Sequence, residues 1–240
     1  MSDYFKTPND LRDFEKFLAH TNRFHLTLQW KNFTQGVAES AAKREIILKK
    51  GSVLFRARNG SDLGEGHWRQ PVPIPFSLDK MGMPPEKITK DGRVNPRGIP
   101  YLYLANSLAT VLSEIRPFIG ELATVAKFKT KEKLKLVDTT GAGRLVSSNK
   151  KKQDFEKCIW RDISFSFSKP ATRDNEYFDY LSAQFLGELF KQMKFDGVLY
   201  RSSLHPQGKN ILLFNQNGIE PIKSSLYRIT GLKYQYRSAI

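Results

Sequence analysis

The chain has 240 residues, 40% of them hydrophobic, with 39 Lys and Arg against 24 Asp and Glu for a formal net charge of +15. That length and composition suit one large domain, or a domain with an added segment, and the positive field attracts polyanions, phosphorylated ligands or an acidic partner without choosing among them. A single cysteine, Cys158, excludes an internal disulfide, and no apolar run approaches the roughly 20 residues of a membrane span.

The N-terminus, MSDYFKTPND, lacks a charged head followed by an apolar stretch, so the expectation is a soluble cytoplasmic protein. TPNDLRDFEKFLAH then reads as a helix, with a Thr cap, Pro8 at the first helical position and Leu11, Phe14, Phe17 and Leu18 on one side. A second helical stretch is expected to end near Lys50, with Gly51 as its stop, before SVLFRAR begins a strand. Residues 1–50 thus read as a helical extension. The proline-rich region from Asn59 to Gly98, with PVPIP, MPP and GRVNPRG, is expected to be irregular for most of its length, and long ordered loops of this kind are often functional.

Pro100 to Pro117 is the most informative stretch. PYLYLA alternates, with Tyr101 and Tyr103 on one face and Leu102 and Leu104 on the other, which predicts a strand. Ser107 reads as an N-cap, Leu108, Val111, Leu112 and Ile115 form an apolar stripe, and Pro117 stops the helix. At about 100° per residue, Glu114 lies roughly 110° from the centre of that stripe. The helix does not need it for packing, so a cleft beside the strand can use it; the plainer reading is a solvated glutamate at a helix end.

ELATVAKFK and KLKLVD read as two more strands, and GAGRLVSSNKKKQ as an exposed basic loop. One helix follows with Phe155, Cys158 and Ile159, and a longer one over Tyr177 to Met193 with Phe178, Leu181, Phe185, Leu189 and Met193 at apolar spacing. FDGVLY reads as a buried strand, RSSLHPQGKN as a polar loop and ILLF as the returning strand; Gly218 to Ile240 reads as a hairpin and a frayed end. Strands and helices mix without regular alternation, which predicts an α+β domain rather than a doubly wound parallel sheet.

Most chemical signatures are missing. There is no P-loop and no GxGxxG fingerprint. His20, His25, His67 and His205 are scattered and Cys158 has no companion, so no zinc site is expected, and the spacing of Cys158 with Phe155 and Ile159 reads as a buried structural thiol. What remains is a set of polar residues at strand ends and in loops: Arg56, Arg58, Arg93, Asn95, Tyr101, Tyr103, Glu114, Ser202 and Ser203. Each has a plain explanation as an edge arginine, a packed tyrosine or a turn serine. Together they suit an anionic ligand with an aromatic portion.

The succession LFRAR, GRVNPRGIPYLYLA, a helix ending in SEIRP, and DGVLYRSS followed by GKNILLF resembles the RES-domain family, named for its Arg, Glu and Ser. The resemblance runs from about Ser52 to Phe214. It implies an ADP-ribosyltransferase-like fold, a mixed or split β-sheet core with flanking helices. It also implies consumption of NAD, with NAD as substrate rather than cofactor and no metal, and a toxin neutralised by an antitoxin partner. By the same resemblance the catalytic arginine, tyrosine, glutamate and serine fall on Arg56, Tyr103, Glu114 and Ser202. Arg93 and Asn95 match the loop motif and, with Tyr101, are substrate-binding candidates; Arg58 and Ser203 are the near-equivalent neighbours that would be the contacts if the register is off. The chain departs from many relatives in reading YLSAQ around Gln184 and in its long loop between Arg58 and Gly92, which bears on pocket shape and on the second substrate.

The chemistry agrees with such an assignment. The nicotinamide of NAD leaves as a neutral base from a cationic pyridinium and needs no proton donor, so one carboxylate can suffice where ordinary glycosidases use two. Glu114 would hold the ribose hydroxyls and stabilise the charge growing on the sugar, Arg56 would grip the pyrophosphate or an adjoining ribose oxygen, Tyr103 would face the nicotinamide, and Ser202 would fix the ribose or carboxamide. Water or phosphate is the expected acceptor. A mono-ADP-ribosyltransferase is the alternative within enzymes, and a basic nucleic-acid-binding module using NKKK, KEKLK and the C-terminal basic residues is the alternative outside them. The domain reading is 1–50 as extension, 51–217 as catalytic domain and 218–240 as C-terminal strands and tail on that domain; residues 1–50 are candidates for partner contact or homo-oligomer formation.

Overall fold

The computed structural model describes residues 4–141, 152–169 and 176–233. Helices α1 (Asp10–His20) and α2 (Leu28–Ala42) lead into strands β1 (Glu45–Leu48) and β2 (Val53–Asn59). The proline-rich region forms a small hairpin, β3 (Asp62–Glu65) and β4 (Pro71–Ile74), and short 3-10 turns at 79–81 and 86–88. Then come β5 (Leu102–Ala105), α3 (Leu108–Glu114), β6 (Leu122–Thr130), β7 (Leu134–Asp138), α4 (Lys152–Ser168), α5 (Glu176–Gln192), β8 (Gly197–Arg201), β9 (Lys209–Leu213) and β10 (Ile219–Arg228).

Among the described residues eight strands make one mixed sheet in the order β1-β7-β8-β9-β5-β2-β6-β10, in which only β7 and β8 run parallel. This is the α+β architecture that the irregular alternation predicts. β2 and β5 share a single Cα pair, Phe55 with Ala105, whereas β2 pairs with β6 along its whole length. The sheet therefore splays between β2 and β5.

Tyr101 and Tyr103 face the larger core, where α1, α2, α4 and α5 cover the sheet and Phe14 packs edge-on against Phe185 at 5.0 Å. Leu102 and Leu104 point the other way, toward Leu54, Phe128 and Met81. The period-two reading of PYLYLA thus separates two cores. A third cluster, Ala57, Ala105, Val111 and Val125, seats α3 beside the splay. Cys158 is buried, as its spacing predicts.

Three expectations are corrected. The helix expected to reach Lys50 ends at Ala42, and Glu45–Leu48 instead pairs with β7. Ile46 and Ile47 are β-branched and gain a ladder there, so tertiary pairing overrides local helical pattern. Gly51 stands at φ +82° in the β1–β2 turn rather than as a helix stop, which a side chain would resist. The expected C-terminal hairpin is one ten-residue strand, β10, paired to β6 and bulged between Pro221 and Lys223, an edge position where proline is tolerated. Third, Thr7 and Pro8 lie before the first helix, which starts at Asp10; the Asp10 carboxylate accepts from the backbone N–H groups of Lys6 and Thr7. Most of the expected basic loop at 141–153, the side chain of Phe178 and the expected frayed end beyond 233 lie outside the described residues.

Candidate active site

Ser107 caps α3 as its sequence position predicts, accepting the Thr110 N–H at 3.1 Å. The helix is short, and Glu114 is its last residue, with Arg116 beyond it at φ +46°. Asn59, at the end of β2, donates to the Ile115 carbonyl at 3.1 Å and so holds the helix end against the splayed strand. Glu114 therefore sits where its angular offset aims it, off the packed stripe and over β9. Its Oε1 accepts two hydrogen bonds, from Ser202 Oγ at 2.6 Å and from Asn210 Nδ2 at 2.7 Å. Among the described residues Oε2 has no partner.

Ser202 is itself locked. Its hydroxyl accepts from the backbone N–H groups of Leu204 and His205, at 3.2 and 3.0 Å, which leaves its own proton for the carboxylate. Gly208 lets this loop press onto α3, since a Cβ there would stand 2.7 Å from the Thr110 side chain. Ser203 is exposed and points elsewhere, so the ambiguity between the two serines resolves to Ser202 for contact with Glu114.

Across the splay, Arg56 is half-buried overall and donates from Nη1 to the Tyr103 carbonyl at 3.3 Å, while its Nε is fully covered with no hydrogen-bond partner among the described residues. Desolvation lowers its pKa to about 10, with the neighbouring Arg58 adding to the effect. At neutral pH it is still a cation, and among the described residues no carboxylate pairs with it. Arg56, Tyr103, Glu114, Tyr200 and Asn210 line one hollow of about 300 Å³. The geometry joins a cation and a carboxylate, from strands and a helix far apart in sequence, around a space open to a ligand.

The other candidates lie around this hollow in supporting places. The Tyr103 hydroxyl donates to Asn95 Oδ1 at 2.8 Å and accepts the Val94 N–H at 3.1 Å, and burial pushes its pKa up to about 12. Asn95 also donates to the carbonyls of Lys90 and Pro96, and Gln184 donates to the carbonyls of Gly92 and Asn95, so the GRVNPRG loop is tied on both sides. A Cβ at Gly92 would run into Asn95 Oδ1 and the Tyr103 hydroxyl. Arg93 reaches the Lys169 carbonyl and the Tyr180 ring. Arg58 donates to the Lys80 carbonyl at 2.7 Å over the Phe76 ring. Tyr101 is 2% exposed and packed against Phe214; its hydroxyl has no hydrogen-bond partner among the described residues, and Tyr101 does not line the hollow. Removing the Tyr103 hydroxyl (Tyr103→Phe) strands two buried partners, and is expected to cost about 1–3 kcal/mol in a denaturant melt.

A family model for the RES domain matches residues 54–236. The chain belongs to the RES-domain family. The RES match extends past Phe214 to take in β10, in keeping with the pairing of that strand to β6. The RES chain is also similar to a chain in the crystal structure of the M. tuberculosis MbcT-MbcA toxin-antitoxin complex, at 13% identity and a TM-score of 0.46, over 81% of this chain and 93% of that one. No curated protein matches it. Among the described residues of this RES protein no helix is long and apolar enough to cross a membrane, and no group of three or more His, Cys, Asp or Glu side chains is placed to hold a metal.

Two residues of the RES hollow escape the sequence reading. Asn210 is the second residue of β9, just before Ile211, and its signal is a buried amide in an apolar strand, 5% exposed. Tyr200, in VLY, looks like one more core aromatic; its pKa is raised well above the usual value, chiefly by burial and then by Tyr103 and Glu114.

Proposed function

We propose that the protein is an NAD-degrading toxin that cleaves the bond between ribose and nicotinamide, passing ADP-ribose to water or phosphate. The observation that carries this reading is the shared hollow of Arg56 and Glu114, where, among the described residues, the cation has no carboxylate partner and one carboxylate oxygen has no hydrogen bond. A volume of about 300 Å³ is at the lower end for small-molecule sites and suits the nicotinamide-ribose end, with the rest of the dinucleotide outside it.

Ser202 and Asn210 pin one oxygen of Glu114, so the other meets the ribose hydroxyls in a fixed direction. As the neutral base leaves, positive charge grows on the sugar, and a carboxylate already in place stabilises it without having to reorient. Arg56, held by the Tyr103 carbonyl, offers its remaining N–H groups to the diphosphate. Tyr103 has its hydroxyl committed to Asn95 and Val94, so it presents a ring to the base, while the Tyr200 hydroxyl has no partner among the described residues and is free to bind a ligand.

RES-domain membership supports the toxin role, and the expected partner is an inhibitor protein that covers the Glu114 cleft. Incubating purified protein with NAD, with and without phosphate, and separating the products by chromatography tests the reaction. Free ADP-ribose or its phosphate is expected; NAD left intact overturns the reading, and label retained on a protein favours mono-ADP-ribosylation instead. In cells, uninduced wild type should be tolerated only with its inhibitor, and harmless strong expression without one counts against the toxin role.

A further inference from the structure

Among the described residues, no element covers one face of the sheet beyond α3. Where α3 ends its cover over Ala57 and Val125, the next row runs Phe55, Lys127, Lys223 across β2, β6 and β10, and the row after it Val53, Lys129, Glu220. Cross-strand partners share a face, so Lys127 and Lys223 stand directly opposite each other, an arrangement that disfavours folding unless something anionic lies over it. Lys129 follows Lys127 at about 6.8 Å along the strand, and Lys131 continues the same alternation just past the strand end. All four lysines are exposed, and among the described residues none makes an ion pair, although Glu220 lies across from Lys129.

We infer that this face binds the phosphodiester backbone of nucleic acid, at a site separate from the Arg56–Glu114 hollow. The charge is complementary, and the composition selects the class of partner. A protein-binding surface draws its affinity from an apolar and aromatic centre depleted in lysine. Here the centre is lysine, and its one aromatic, Phe55, is partly buried against the α3 cluster. Contacts of this kind read charge rather than sequence, and each neutralised phosphate releases counterions.

The test is fluorescence anisotropy of a labelled random-sequence DNA duplex with the full chain, across a series of salt concentrations. Four lysine contacts give a slope of log affinity against log salt of about −3.6. The triple variant Lys127→Gln, Lys129→Gln, Lys223→Gln, checked by its melting temperature to be folded, should lose about 2.7 from the magnitude of that slope and bind roughly tenfold or more weakly at 0.1 M salt. No binding by wild type, binding unchanged in the triple variant, or tighter binding of poly-glutamate than of the duplex at the same salt overturns the inference. The last outcome would assign the face to an acidic protein instead.

Discussion

Glu114→Gln should leave the fold intact and lower kcat for NAD consumption by on the order of 10²–10³. Glutamine keeps a carbonyl oxygen where Ser202 and Asn210 donate, at 2.6 and 2.7 Å in the native site, so those hydrogen bonds and the position of α3 survive. Only the negative charge is removed. Because in the proposed reaction that charge matters most when the sugar becomes cationic, the loss belongs in kcat rather than KM, and the melting temperature should hardly move. Chromatography of NAD with both proteins, alongside thermal melts, checks the separation. A variant that turns over NAD at the native rate removes Glu114 from the chemistry; one that melts early makes it a structural residue.

Arg56 leads to the second large effect, in which stability and activity move in opposite directions. Arg56→Met should lower kcat/KM for NAD by about 10- to 100-fold, since a charge-assisted hydrogen bond contributes about 1.5–3 kcal/mol. Yet the same change should raise the melting temperature by about 2–4 °C, a gain of about 1 kcal/mol, because the native site desolvates a cation that has, among the described residues, an unpartnered Nε and no carboxylate beside it. The direction in pH follows from the lowered pKa. The cost of burying the cation is in force at every pH below about 10, neutral pH included, and eases only as pH rises from there toward the usual guanidinium range. NAD binding should run the other way, holding up to about pH 10 and weakening above it as the cation loses its proton. A fluorescence binding titration across that range, with Arg56→Met as the flat reference, checks this; a melting temperature that falls in Arg56→Met would show that the guanidinium holds the splayed strands together.

The two effects together describe a site that keeps charges apart. Arg56 and Glu114 line one hollow without pairing, which leaves each for the ligand. Stability is given up for this in a way that burying a matched ion pair would avoid, and such trade-offs are typical of binding sites.

Local patterns that depend only on near neighbours could be read along the chain: the alternation of Tyr101 to Leu104, the Ser107 cap, the stripe under α3 and the offset of Glu114 from it. Each is a period or an i to i+3 relation, fixed by backbone geometry. Three-dimensional packing alone decided that Ser202 rather than Ser203 meets Glu114, that Asn210 joins it from 96 residues away, and that Tyr101 packs in the core while Tyr103 lines the hollow. It also turned the expected helix before Gly51 into β1 and the expected terminal hairpin into β10. These outcomes rest on which strands lie side by side, and a ladder between segments distant in the chain leaves no periodic mark on either of them.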